Sequence, residues 1–83
     1  MTTKQVWTLY SDDLKRFIVS KVKDNSASDD ILQNTFIKIH TKHHTLKDIT
    51  KLKSWCFTVA RNSILDYWKQ INLLKLLILK KKP

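Results

Sequence analysis

The sequence predicts an all-α domain of three main helices, the third extended toward the C-terminus. Three observations carry this expectation. The 83 residues hold no glycine, and the one proline is Pro83. Nothing inside the chain breaks a helix, and tight hairpins would have to find their positive-φ residues among Asn and Asp. Apolar residues recur at spacings of three and four, the helical period. Hydrophobic residues make up 42 % and charged residues 28 %, a globular balance and not a disordered one. A chain this short builds one domain around one small core.

The first helix is expected from about Thr3 to Lys23. Trp7, Tyr10, Leu14, Phe17 and Ile18 form its stripe, widened by Val6, Leu9, Val19 and Val22. Thr2 or Thr3 can cap its start. Asp24 and Asn25 are turn residues that end it. The second helix is expected from about Ser28 to His43, with Ser26 or Ser28 as N-cap. Asp29 and Asp30 then lie where the helix dipole favours negative charge. Leu32, Phe36 and Ile39 read as its core stripe, flanked by Ile31 and Ile37, while Asp30, Gln33, Asn34 and Lys38 make the polar face. The first two helices should run antiparallel.

"HHTLKDITK" has no helical apolar pattern, and Thr45, Asp48 and Thr50 are loop or cap formers. The third helix should start near Lys51 or Leu52 and pack across the other two. Leu52, Cys56, Val59, Ala60 and Ser63 give it a small-residue face for close packing. Ile31, Leu32, Phe36, Val59 and Ala60 are the expected core. Residues 1–70 form the domain. Residues 71–83, "INLLKLLILKKKP", are an apolar and basic tail or helix extension. Its apolar run is shorter than the roughly 20 residues of a membrane span.

The net charge is +9, from 16 Lys plus Arg against 7 Asp plus Glu. That excess calls for a polyanionic partner: nucleic acid, an acidic membrane surface or an acidic protein. The absence of glycine excludes a phosphate-binding Gly-rich loop. Cys56 is the only cysteine, which rules out an intramolecular disulfide and a cysteine-based zinc site, and fits a reducing cytoplasm. It reads as a small buried thiol. His40, His43 and His44 have a helical spacing that suits a metal, but no Cys or carboxylate accompanies them, and they read as solvated or phosphate-neighbouring side chains. No nucleophile–base arrangement and no paired carboxylates are visible, so an enzyme, a cofactor and a small-molecule substrate are not expected.

Two blocks carry a resemblance. One is "SDDILQNTFIKIH", with Asp30, Gln33 and Phe36. The other is "KLKSWCFTVARNSILDYWK", with Trp55, Arg61, Asn62, Asp66, Tyr67 and Lys69. In this order, after the upstream helix with Trp7 and Tyr10, they resemble the second conserved region of bacterial RNA polymerase sigma factors. The similarity is to the small extracytoplasmic-function class and covers about residues 6 to 70. Asn34 stands where that class commonly has an acidic residue, and Lys69 where it usually has arginine. The class's C-terminal helix-turn-helix domain has no counterpart in these 83 residues.

The resemblance implies a compact three-helix domain of a cytoplasmic transcription initiation factor. Asp30, Gln33 and Asn34 would dock on the clamp helices of the largest catalytic subunit of core RNA polymerase. The loop and third helix would read and melt the promoter minus-ten element, with one base flipped into a pocket. An anti-sigma factor is a further partner that the class brings into view.

The residues suit that task. A flipped base needs stacking surfaces and a polar reader of its edge. Trp55, Tyr67 and Trp68 offer rings, and Asn62 offers a paired donor and acceptor. Lys47, Lys51, Lys53, Arg61 and Lys69 can neutralise phosphates. Blander readings stand beside these: Trp55 as a core residue, Arg61 paired with Asp66, Asp30 and Gln33 as a solvated face. Two rival functions remain at this stage. One is a small basic protein binding nucleic acid or an acidic partner nonspecifically. The other is membrane-surface binding through the Leu/Lys tail.

Overall fold

The computed structural model describes residues 2–80. Three helices carry the fold: α1 (Thr3–Val22), α2 (Asn25–Lys42) and α3 (Leu52–Lys80). Two short 3-10 turns, His43–Thr45 and Ile49–Lys51, link α2 to α3. There is no strand among the described residues.

Each boundary has a local cause. Thr2 opens α1 through a reciprocal cap: its hydroxyl accepts from the Gln5 N–H at 3.2 Å, and its own N–H donates to Gln5 Oε1 at 2.9 Å. The chain has no glycine for the left-handed position that usually ends a helix. Lys23 takes it instead, at φ 61°, an arrangement that costs an L-residue about 1 kcal/mol. Asp24 then caps α2, its carboxylate accepting from the Ala27 N–H at 3.1 Å. Neither Ser26 nor Ser28 is the cap, because extended backbone at Asp24 starts α2 three residues before Ser28 and draws that serine into the buried face.

The reversal after α1 makes α1 and α2 antiparallel. Their far ends are tied by Thr3, whose hydroxyl lies 2.8 Å from His40 Nδ1 and 3.1 Å from His43 Nε2. Partial burial, then the neighbouring His44, holds the His43 imidazole below its ordinary pKa. An edge-on pair of Trp7 and Phe36, centroids 4.9 Å apart, closes the same side.

The third helix packs on both others. Phe17 meets Phe57 edge-on at 5.4 Å; Lys42 lies by the Trp55 end of α3 and Asp30 by Tyr67 and Gln70, so α3 runs against α2 and hence along α1. Its small-residue face is the one expected. Leu52, Cys56, Val59, Ala60, Ser63 and Ile64 are buried, against Val6, Leu14 and Ile18 of α1 and Ile31 and Ile39 of α2.

On α2 the buried face differs from the expected stripe. Ile31, Thr35 and Ile39 line the core; Leu32 is half-buried and Phe36 is 37 % exposed. The cause is Thr35, whose hydroxyl donates to the Ile31 carbonyl at 2.8 Å. A hydroxyl satisfied inside its own helix can be buried at little cost. The core is therefore centred one residue away from the Leu32–Phe36 line.

Cys56 is fully buried, and burial pushes its thiol up to about 11. A thiol reagent at pH 8 should leave the native protein unlabelled and modify one group per chain once urea unfolds it. Rapid native labelling would contradict this packing.

At 29 residues α3 outruns its partners, being about 43 Å long against about 30 Å for the 20-residue α1. Beyond Ile71 every described residue is exposed. The last residues of the expected tail, 81–83, lie outside the described residues.

Candidate functional site

The third helix presents its polar residues along the side away from the core, and α2 supplies the walls of two grooves against it. The first groove, about 450 Å³, is lined by Trp55, Thr58, Val59, Asn62 and Asp66 of α3 and by Lys38 and Lys42 of α2. Trp55 and Asn62 are seven residues apart, nearly two full turns, so they share one side of the helix. Trp55 is half-buried: it packs on the core and also lines the groove. Asn62 is exposed in the third turn of the helix, where its amide makes no local bond to compete with a ligand.

The second groove, about 580 Å³, brings together Asp30, Gln33 and Asn34 of α2 with Tyr67 and Gln70 of α3. Lys38 stands between the grooves and lines both. Its ammonium donates to Ser63 Oγ at 3.2 Å and to Asp66 Oδ2 at 3.4 Å. Ser63 in turn donates to the Val59 carbonyl at 3.1 Å. Asp66 thus pairs with Lys38 across the helices and not with Arg61. The ridge leaves Lys42 as the cation of the first groove free of an ion pair among the described residues.

The expected DNA-binding residues divide. Trp55 and Asn62 meet. Arg61 and Trp68 line a third groove of about 390 Å³ with Phe17 and Lys21, on the α1 side. Tyr67 is half-buried and belongs with Asp30, Gln33 and Asn34. Lys69 is exposed two turns beyond Asn62, on the same side of the helix. Lys47, Lys51 and Lys53 are exposed around the N-terminal end of α3. That end carries no acidic residue in its first turn, so three cations add to the positive pole of the helix.

The loop beside those lysines is ordered by Asp48. Its carboxylate accepts from the Thr50 hydroxyl at 2.6 Å and the Thr50 N–H at 3.0 Å, and these bonds hold it below the usual carboxylate range.

Lys42 and Thr58 were not among the expected site residues. Lys42 stands one turn after Lys38 on α2, and Thr58 between Trp55 and Asn62 on α3, so helical spacing alone could have found both. Among the described residues, no group of three or more His, Cys, Asp or Glu is placed to hold a metal.

The sequence matches the family described as Sigma-70 region 2 over residues 6–72. The chain belongs to this family. Relatives of the sigma-70 region 2 domain seen here come from Bacillus subtilis (strain 168). It is 39 % identical over 67 residues to the ECF RNA polymerase sigma factor SigM, covering 81 % of this chain and 40 % of that protein. It is 35 % identical over 69 residues to the RNA polymerase sigma factor SigZ, covering 83 % and 39 %. It is 28 % identical over 69 residues to the ECF RNA polymerase sigma factor SigX, covering 83 % and 36 %. The chain thus spans about two fifths of the length of these relatives. No solved structure gives a significant match.

Proposed function

We propose that this sigma-70 region 2 chain is the promoter-engaging module of a transcription initiation factor, acting in the cytoplasm while docked on core RNA polymerase. One observation carries the reading: Trp55 and Asn62 share a groove with Lys42 and Thr58, roomy enough to admit a flipped base. The indole face stacks on the base. The Asn62 amide reads its edge, and Lys42 holds the phosphate beside it. Lys47, Lys51 and Lys53 track the backbone toward that groove, Lys69 meets DNA farther along α3, and Arg61 and Trp68 meet it on the α1 side. Residues 1–70 act as the domain, and the tail is an appendage to it.

Polymerase docks on the α2 side. Asp30, Gln33 and Asn34 are exposed there, and next to them lies an apolar shelf of Trp7, Leu32, Phe36 and Ile37. Apolar ground with polar groups at its edge is how a protein–protein interface is built. The Lys38–Asp66 ridge divides this face from the base groove, so one small domain can hold protein on one side and DNA on the other. The clamp helices of the largest catalytic subunit are the polymerase element assigned to it.

The test is binding of minus-ten single strands to the chain on core polymerase, with each of the four bases at the flipped position. Asn62→Ala should reduce discrimination among them by roughly 1–3 kcal/mol. Overall affinity should change little, because the phosphate contacts remain. An unchanged base preference would remove Asn62 from the reading.

A further inference from the structure

We infer that the C-terminal part of α3 is a docking face for an anionic lipid surface, independent of the promoter reading. The core stripe of α3 does not stop where the bundle does. Ile64, Tyr67 and Ile71 are buried or half-buried, and Leu74 and Ile78 continue the same line into solvent. Leu73, Leu74, Leu77 and Ile78 make the broadest apolar face, at three- and four-residue spacing, each between 48 % and 61 % exposed, while Leu76 and Leu79 are exposed on the narrower side between Lys75 and Lys80. No described residue of the bundle covers them. So much contiguous apolar surface marks an interaction face.

Charge selects the occupant. The tail carries Lys75 and Lys80, followed in sequence by Lys81 and Lys82, and no acidic residue comes after Asp66. Lys75 and Lys80 fall on the two flanks of the apolar face, where their stems can lie along it while the ammonium groups meet head-group phosphates. A second copy fits poorly. It would bring another +9 and no carboxylate opposite either lysine, whereas paired helices place opposite charges beside their seam. DNA also fits poorly, since beyond Asn72 the tail offers leucines in place of rings and amides. No helix among the described residues is long and apolar enough to cross a membrane, so the helix would lie in the interface.

Co-sedimentation of the full chain with phosphatidylglycerol vesicles and with phosphatidylcholine vesicles tests this. The variant is Leu74→Gln/Leu77→Gln/Ile78→Gln, which touches no core residue and keeps good helix formers. Its circular dichroism and melting curve should match the parent. The parent should bind the anionic vesicles, and the variant should bind them at least about tenfold more weakly. Added salt should weaken the parent's binding. Equal binding of parent and variant, or equal binding to both vesicle types, overturns the proposal. So does a leucine-dependent dimer in lipid-free buffer by analytical ultracentrifugation, which would hand the face to a second copy. A variant that loses duplex DNA binding in the same proportion would overturn it in favour of nucleic acid.

Discussion

Ile31→Ala should lower the stability of the domain by about 2–5 kcal/mol, while Leu32→Ala should cost only about 1 kcal/mol. The two residues are neighbours of nearly equal volume, so the contrast measures which way α2 is turned. Ile31 lies inside the cluster formed by Leu14, Ile18, Cys56, Ala60 and Ile64, and its truncation leaves a cavity in a close-packed interior. Leu32 sits at the edge of that cluster beside the exposed Phe36 and Ile37, and solvent or a small shift can fill its place. A domain of 83 residues has about 4–12 kcal/mol in all. The first substitution therefore removes a large share of the stability, up to all of it at the low end of that range, and the second leaves a chain that melts slightly early. Urea titration followed by circular dichroism reads both. A loss for Leu32→Ala equal to that for Ile31→Ala would mean that Leu32 and Phe36 face inward after all.

The same pair shows where reading the sequence reached and where it stopped. Helix number, the small-residue face of α3 and a threonine cap at residue 2 or 3 follow from spacing and side-chain chemistry within one turn. The orientation of α2 does not, because Thr35 counts as polar in any hydrophobic stripe. Only the hydrogen bond to the Ile31 carbonyl shows that its hydroxyl is satisfied and its methyl free to pack. Once Thr35 goes in, Phe36 and Ile37 must come out, and a face read as core becomes part of the proposed docking surface. Lys38 is a similar case. It looked like a solvated residue on the polar face of α2, and its partners Ser63 and Asp66 lie 25 and 28 positions away. Contacts of that range come from packing three helices, not from local pattern. The grouping of the expected DNA-facing residues was legible only in part: Trp55 and Asn62 line one groove, but Arg61 and Trp68 face α1, and Tyr67 lies with Asp30 and Gln33. One helix cannot turn every aromatic and basic residue along 17 positions to the same side.

The double substitution Asp30→Ala/Gln33→Ala should weaken binding to core RNA polymerase by about a hundredfold or more, since truncating hydrogen-bonded charges at an interface costs about 2–5 kcal/mol. Both side chains are exposed in the free chain, so folding should change by no more than about 0.5 kcal/mol. The sign of the result separates the sigma-type reading from a merely electrostatic one. Removing Asp30 raises the net charge by one, from +9 to +10, and a protein held to polyanions by charge alone would then bind as tightly or more tightly. A loss of binding cannot come from that source. The converse variant, Lys47→Ala/Lys51→Ala/Lys53→Ala, should leave polymerase binding close to the parent. It should also flatten the salt dependence of DNA binding by about one unit of slope per lysine removed. A pull-down at moderate salt measures the first property and a salt titration the second. If the aspartate–glutamine variant binds polymerase like the parent, the α2 face is not the docking site. The base groove would then belong to a protein that meets DNA without polymerase. The Lys38–Asp66 ridge makes separate outcomes expected: in the proposed arrangement protein and DNA contacts fall on opposite sides of one ion pair, so each should be removable without the other.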